Sequence, residues 1–257
     1  MPPETVLITG ASAGIGRELA RLFAADKSRL VLVARRRERL EALADELRRE
    51  QGIEVRTLPL DLSERAAPAA LVDQLTAEGL AVDVLVNNAG FGAVGPVAEL
   101  GVARQVEMIE VNVAALTHLT RLLLPGMLQR KSGGVLNVGS TAAFQPGPTM
   151  AVYFATKAYV VSFSQALAEE IRGTGVKVTC LAPGPTATEF GADSGMGRTL
   201  LFRLGTMDAR RVARAGHRGL RRGRVLVIPG LRNWLTAELS RLSPLGVSRK
   251  MTRLLLR

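Results

Sequence analysis

The chain is poor in the residues that hold small secreted domains and metal centres together. Its 257 residues include one cysteine, one tryptophan, two tyrosines and two histidines. A lone cysteine excludes an internal disulfide. Within the apolar run Val176–Leu181, Cys180 reads as a core residue, which fits a reducing, cytoplasmic setting. His118 and His217 stand apart from other ligand types, so no metal site is predicted. Internal repeats, low-complexity linkers and an apolar run of membrane-spanning length are also missing. Met1-Pro2-Pro3-Glu4 leads directly into a strand pattern, so no signal peptide is expected.

Acidic residues are scarce at one end only. Residues 1–197 carry 19 Lys/Arg against 21 Asp/Glu, residues 198–224 nine against one, and residues 231–257 six against one. The formal charge of +11 therefore resides in the last quarter, and the chain is basic at one end rather than throughout.

What is present is alternation. Short apolar runs at Thr5–Thr9, Leu30–Ala34, Val55–Leu60, Val82–Val86, Gly134–Gly139, Val176–Leu181 and Val225–Ile228 read as strands, with helical patterns such as Arg36–Arg49 and Tyr153–Arg172 between them. That order predicts one doubly wound α/β domain over 1–257, a mostly seven-stranded parallel Rossmann-type sheet with helices on both faces. At 47% hydrophobic, the chain can bury such a core.

Two motifs point to chemistry. Gly10-Ala11-Ser12-Ala13-Gly14-Ile15-Gly16 joins the first strand to a helical pattern, so glycines and a helix N-terminus meet where a diphosphate could sit. Tyr153 and Lys157, four residues apart, share a helix face, and Ser140 lies upstream in Asn137-Val138-Gly139-Ser140. A phenol has a reference pKa of about 10, and a neighbouring cation favours the phenolate. A shift to near 7 requires roughly 4 kcal/mol of differential stabilisation. Such a set suits proton transfer to or from a carbonyl or alcohol.

With these motifs in order, the chain resembles the short-chain dehydrogenase/reductase family from Thr5 to about Phe190. The resemblance assigns Asn112, Ser140, Tyr153 and Lys157 as the catalytic set, with Asn112 anchoring a proton-relaying water. It places Gly10, Ser12, Ala13, Gly14, Ile15 and Gly16 at the cofactor turn, and Asp61-Leu62 at the adenine. Asn88-Ala89-Gly90 matches the family's N-N-A-G signature, which begins at Asn87. Pro183, Gly184, Thr186 and Thr188 would hold the nicotinamide, whose ribose Tyr153 and Lys157 would also contact. The end of the second strand, Ala34-Arg35-Arg36-Arg37, has no acid, so NADP(H) is the expected cofactor. Arg35 is the first candidate for the 2′-phosphate and Arg36 the second, with Ser12 as a hydroxyl donor. Arg37 and Arg39 also read as a solvated helix face.

Substrate-flanking segments are expected at Ala142–Val152, contributing Phe144, Pro146 and Met150, and at Phe190–Met207, contributing Phe190, Met196, Leu200, Leu201 and Phe202. With Ser140, Tyr153, Phe144 and Phe190 at the substrate and no obvious carboxylate, an apolar ketone or alcohol is the expected ligand. A glycine-bearing lid is placed within 185–222. A 3-oxoacyl thioester reductase and a non-catalytic nucleotide sensor on the same fold are the alternatives. A homodimer through Val102–Met127 and Tyr153–Arg172 is expected. The basic tail, 231–257, is open to three readings: an interfacial amphipathic helix, a dock for acidic acyl carriers, or a solvated cap. Nucleic acid is not an expected partner, since no recognition motif accompanies the charge.

Overall fold

The structure, a computed structural model, describes residues 3–256, so the start at Met1-Pro2 and the terminal Arg257 lie outside the described residues. Strands β1 (Thr5–Thr9), β2 (Arg29–Ala34) and β3 (Val55–Pro59) alternate with helices α1 (Gly14–Ala25), α2 (Arg37–Gln51) and α3 (Ala67–Ala77). After β4 (Val84–Asn87), helix α4 (Val102–Ile109) runs through a π-helical turn at Glu110–Ala115 into α5 (Leu116–Arg130). Then come β5 (Gly133–Val138), α6 (Ala151–Glu170) and β6 (Val176–Leu181). The lid carries β7 (Thr186–Ala187), short helices α7 (Phe190–Ser194) and α8 (Leu200–Arg203), and β8 (Met207–Asp208). Helix α9 (Ala209–Arg221), β9 (Leu226–Val227), α10 (Leu231–Leu242) and α11 (Leu245–Leu255) complete the chain.

The main sheet is parallel in the order β3-β2-β1-β4-β5-β6-β9, so the expected seven-stranded doubly wound fold is the one observed. Both faces are buried because strand residues alternate between two cores. Val6, Ile8, Leu30, Leu32, Val84 and Val86 pack under α1, α2 and α9. Leu7, Val31, Val33, Leu85, Val135 and Val178 pack under α3, α5 and α6.

Three expectations need correction. The segment expected as a lid does not run to 222 as one loop. Residues 209–221 form a core helix whose Val212, Ala213 and Leu220 face α1 and the sheet, while Arg210, Arg211, Arg214 and Arg218 are exposed and Arg221 pairs with Glu4 and Asp26. His217 is not isolated either: its Nε2 lies 2.8 Å from Asp26, and its ring meets Phe23 edge-on. The helix Val102–Arg130 is long and apolar enough to cross a membrane by length and composition, and its Leu116, Leu119, Thr120 and Met127 are buried in the core of the fold. Cys180 is fully buried, and burial pushes its thiol up to about 11 against the pull of Ser164.

A polar network crosses the centre of the sheet. Asn87 Nδ2 donates to Asn137 Oδ1 (2.9 Å) and Thr120 Oγ1 (3.0 Å), and Asn137 Nδ2 donates to Ser164 Oγ (2.9 Å). These buried groups fix β4, β5, α5 and α6 in one register, because any slip would leave an amide without a partner. Asn137→Ala should therefore cost about 1–3 kcal/mol, read as a lower urea midpoint with an unchanged slope.

Candidate active site

The parallel strands end at a long cavity of about 580 Å³ that runs from the glycine turn to Tyr153. Two side chains hold its first wall. Thr9 Oγ1 accepts from the backbone N–H groups of Asn88 and Ala89 at 3.0 Å each, and Asn88 Nδ2 donates to the carbonyls of Thr9 (2.9 Å) and Gly10 (3.1 Å). Gly10 adopts φ +65, and a Cβ there would lie 2.7 Å from Asn88 Nδ2. Gly16 does not line the cavity. It is buried beneath the turn, where a Cβ would come within 2.4 Å of Gly10 O. Its role is close packing, not ligand contact.

Helix α1 starts at Ala13 with no side-chain cap and no acid in its first turn. Its leading N–H groups are therefore free for an anion, and the helix dipole favours one there. At the rim, the Arg36 guanidinium reaches Ser12 Oγ (3.2 Å) and Glu189 Oε2 (2.6 Å). Arg35 turns instead to Glu107 (3.3 Å) and Asp61 (3.6 Å). Arg36 rather than Arg35 thus shares the Ser12 seat. Arg39 is not merely a solvated helix face, since it pairs with the other oxygen of Glu189. The two arginines hold the Glu189 carboxyl below its usual range. Asp61 and Leu62 line the same end, and Ala89 and Gly90 line the middle. This donor set fits a phosphorylated dinucleotide.

At the far end Tyr153, Ser140 and Lys157 converge on the cavity. Ser140 begins a short helical turn and its Oγ accepts from Ala142 N (3.1 Å), so its own proton is free to donate. Thr149 holds φ +66, a strained conformation for a β-branched residue, and its carbonyl accepts from Gly95 N (2.7 Å). That contact ties the loop before α6 to the loop after β4. Asn112 does not reach the cavity. It lies in the π-helical turn, where Nδ2 donates to Phe91 O and Thr156 Oγ1 (3.0 Å each) and Oδ1 accepts from Phe91 N (3.1 Å). Its side chain positions the Phe91 loop and α6.

Of the residues expected at the substrate, Phe190, Met196, Leu201 and Phe202 line the cavity, while Pro146, Met150 and Leu200 do not. Phe144 is also misplaced by the sequence reading. It packs beside Val160, Val161 and Cys180, with Arg241 over its ring at 5.6 Å. Two contributions were not legible in sequence. Asp193 places a carboxylate in the wall, and the C-terminal helices close it with Arg232, Asn233, Thr236, Thr252, Leu255 and Leu256. No local pattern links residues so distant in sequence to the cavity.

A family profile described as short chain dehydrogenase matches residues 4–199. The chain belongs to the short chain dehydrogenase family. Among its relatives, the NADP-dependent 3-hydroxy acid dehydrogenase YdfG of Salmonella typhi is 42% identical over 187 residues, covering 72% of this chain and 74% of that protein. A short chain dehydrogenase of Pseudocercospora fijiensis is 40% identical over 191 residues, and the match spans 74% of this chain but 62% of that protein's length. A short-chain dehydrogenase from Sphingobium yanoikuyae in complex with NADPH superposes with a TM-score of 0.83 at 35% identity, over 93% of each chain. The bulky-bulky ketone specific alcohol dehydrogenase from Comamonas testosteroni superposes at 0.80 with 30% identity, over 94% of this chain and 93% of that one. Among the described residues of the dehydrogenase, no group of three or more His, Cys, Asp or Glu could hold a metal ion.

The electrostatics of the pair differ from the sequence expectation. Burial pushes the Tyr153 phenol up to about 12, only partly opposed by Ser140. Lys157 Nζ sits 5.9 Å from the Tyr153 ring centre and donates to Val138 O at 2.9 Å. It does not by itself make the phenol acidic. Burial also pushes Lys157 down to about 8, with Cys180 acting weakly the other way. Below pH 8 the folded protein therefore holds a desolvated ammonium at a cost on the order of 3 kcal/mol. As pH rises from about 8 toward the ordinary lysine range, the native state loses its proton first and this cost disappears. Lys157→Met should accordingly be more stable than wild type at pH 7, by about 1–3 kcal/mol in urea unfolding, with the gap closing by pH 10.

Proposed function

We propose that this dehydrogenase transfers hydride between NADP(H) and bulky apolar ketones or secondary alcohols, with Tyr153 as general acid and base. The observation carrying the proposal is one continuous cavity with the uncapped α1 N-terminus and the Arg36–Ser12 seat at one end and Tyr153, Ser140 and Lys157 at the other. The NADPH complex of a relative alike over 93% of its length supports the cofactor. NADPH, when bound, supplies the hydride. Thr188 would orient the nicotinamide end: its Oγ1 accepts from Phe190 N (3.3 Å), leaving its proton free for an amide oxygen. Thr186 spends its proton on Gly184 O (2.9 Å) and so shapes the Pro183–Pro185 turn instead.

In reduction, Ser140 donates to the carbonyl oxygen and orients it. The Tyr153 phenol would give its proton to that oxygen as the carbonyl is reduced. A phenol held at about 12 keeps its proton at neutral pH, which suits the acid role. Lys157, 5.9 Å from the ring centre, would be the cation facing the phenolate left by that step. Oxidation reverses the same proton path.

The wall supports this substrate class. Phe91, Phe154, Phe190, Met196, Leu201 and Phe202 make it largely apolar. Among the described residues, the cation on the wall apart from Lys157 and the Arg35–Arg36 end is Arg232, whose guanidinium donates to Leu204 O (2.8 Å) and Gly205 O (2.9 Å). With Asp193 also present, an anionic hydroxy acid is less well matched than a neutral ketone. Exposed Val102, Val106, Ile109 and Tyr159 on the outer face of α4 and α6 support a homodimer through those helices.

Tyr153→Phe should lower turnover about a thousandfold while NADPH binding, followed by fluorescence titration, stays within about threefold. Full activity in that variant would remove Tyr153 from the mechanism. Arg36→Ala should raise the KM for NADPH about ten- to a hundredfold and leave the KM for NADH nearly unchanged. A wild-type preference for NADH in kcat/KM would overturn the cofactor assignment.

A further inference from the structure

Helices α10 and α11 are inside out. On α10 the buried positions are Asn233 and Ala237, whereas Leu231, Trp234, Leu235, Leu239 and Leu242 are exposed, from 45% at Leu235 to 82% at Leu242. At 100° per residue those five fall on one side of the helix, opposite the buried pair. Helix α11 repeats the arrangement, burying Ser248 and Thr252 and exposing Val247, Met251 and Leu254. Thr252 satisfies its hydroxyl on Ser248 O (2.9 Å). A soluble helix ordinarily turns its leucines inward, and an exposed apolar stripe of this size marks a binding surface.

Charge selects the occupant. Exposed Lys250 borders the α11 stripe, with exposed Arg253 and Arg249 further round the same helix, while on α10 Arg232 bonds Leu204 O and Gly205 O and Arg241 lies over the Phe144 ring and pairs at 3.2 Å with Glu238, the single acid of the two helices. Helix α8, which ends at exposed Arg203, contacts α11, and Leu204 O accepts from Arg232 of α10. A second copy would bring like charges together across any symmetric contact. A lipid surface instead offers apolar chains to the leucines and anionic headgroups to the cations, and it suits a tryptophan at the boundary. We propose that the outer face of α10 and α11 docks this protein on anionic lipid bilayers. The same two helices close the substrate cavity on their inner side through Thr236, Thr252, Leu255 and Leu256, so the docked face backs directly onto that cavity.

The test uses Trp234, the only tryptophan in the chain, as a native probe. The full-length protein is mixed with vesicles of phosphatidylcholine alone or with one third phosphatidylglycerol, and sedimentation and tryptophan emission are recorded. The expected result is sedimentation with the anionic vesicles, a blue shift of emission, and at least about tenfold weaker binding to neutral vesicles. Leu239→Glu combined with Leu242→Glu should lose about tenfold or more in vesicle binding, and so should Arg249→Gln with Lys250→Gln and Arg253→Gln. NADPH binding by both variants in solution should match wild type, which separates this proposal from the assigned activity. Two results would overturn it: no sedimentation of the wild type with anionic vesicles, or equal sedimentation of the leucine variant. Light scattering that shows the leucine pair controlling self-association, without vesicle binding, would assign the face to a second copy instead.

Discussion

The cavity depends on a clasp between two strand ends. Between β1 and β4 the strand order reverses, so the loops leaving them diverge and a crevice opens above the sheet. Thr9 and Asn88 bridge that point: one hydroxyl accepts from two N–H groups, and one amide donates to two carbonyls of the glycine turn. Without those bonds the glycine-rich loop would have no fixed distance from β4. Gly16 allows the approach, because any side chain there would meet the Gly10 carbonyl and the Asn88 amide. The free helix N-terminus of α1 is thereby aimed into the crevice and not out to solvent.

A second constraint lies under the reacting groups. Lys157 is held in a site that burial makes unfavourable for its charge, against the Val138 carbonyl. Tyr153 is likewise buried and keeps its proton. The Asn87–Asn137–Ser164 network beneath them resists relaxation that would let water reach either group. The fold thus stores electrostatic strain at one place and compensates for it through dense packing on both faces of the sheet.

The C-terminal helices serve two sides at once. Their inner side is made of small polar residues and two leucines and completes the substrate wall. Their outer side is apolar and fringed with cations. An ordinary cap over the fold would have the opposite polarity, so this arrangement records a constraint from outside the protein's own core.

Much of the molecule was legible in one dimension. Alternating apolar strands determine a parallel two-faced sheet, since each strand must bury both of its sides. Gly10 to Ile15 of the glycine turn, Ser140, Tyr153 and Lys157 are local patterns whose spacing carries their geometry, and apart from Ala11 the cavity gathers them. Strand ends were less legible: Val225–Ile228 reads as a strand and β9 is found there, but it spans only Leu226–Val227. Tertiary structure alone decided that Arg36 takes the Ser12 seat, that Phe144 turns away, that Asn112 acts on Phe91 and Thr156, and that the chain's last helices reach back over the cavity. Each of those outcomes depends on partners roughly 20 to 150 residues away in sequence. Local periodicity carries no information about such distances, and only the packed fold sets them.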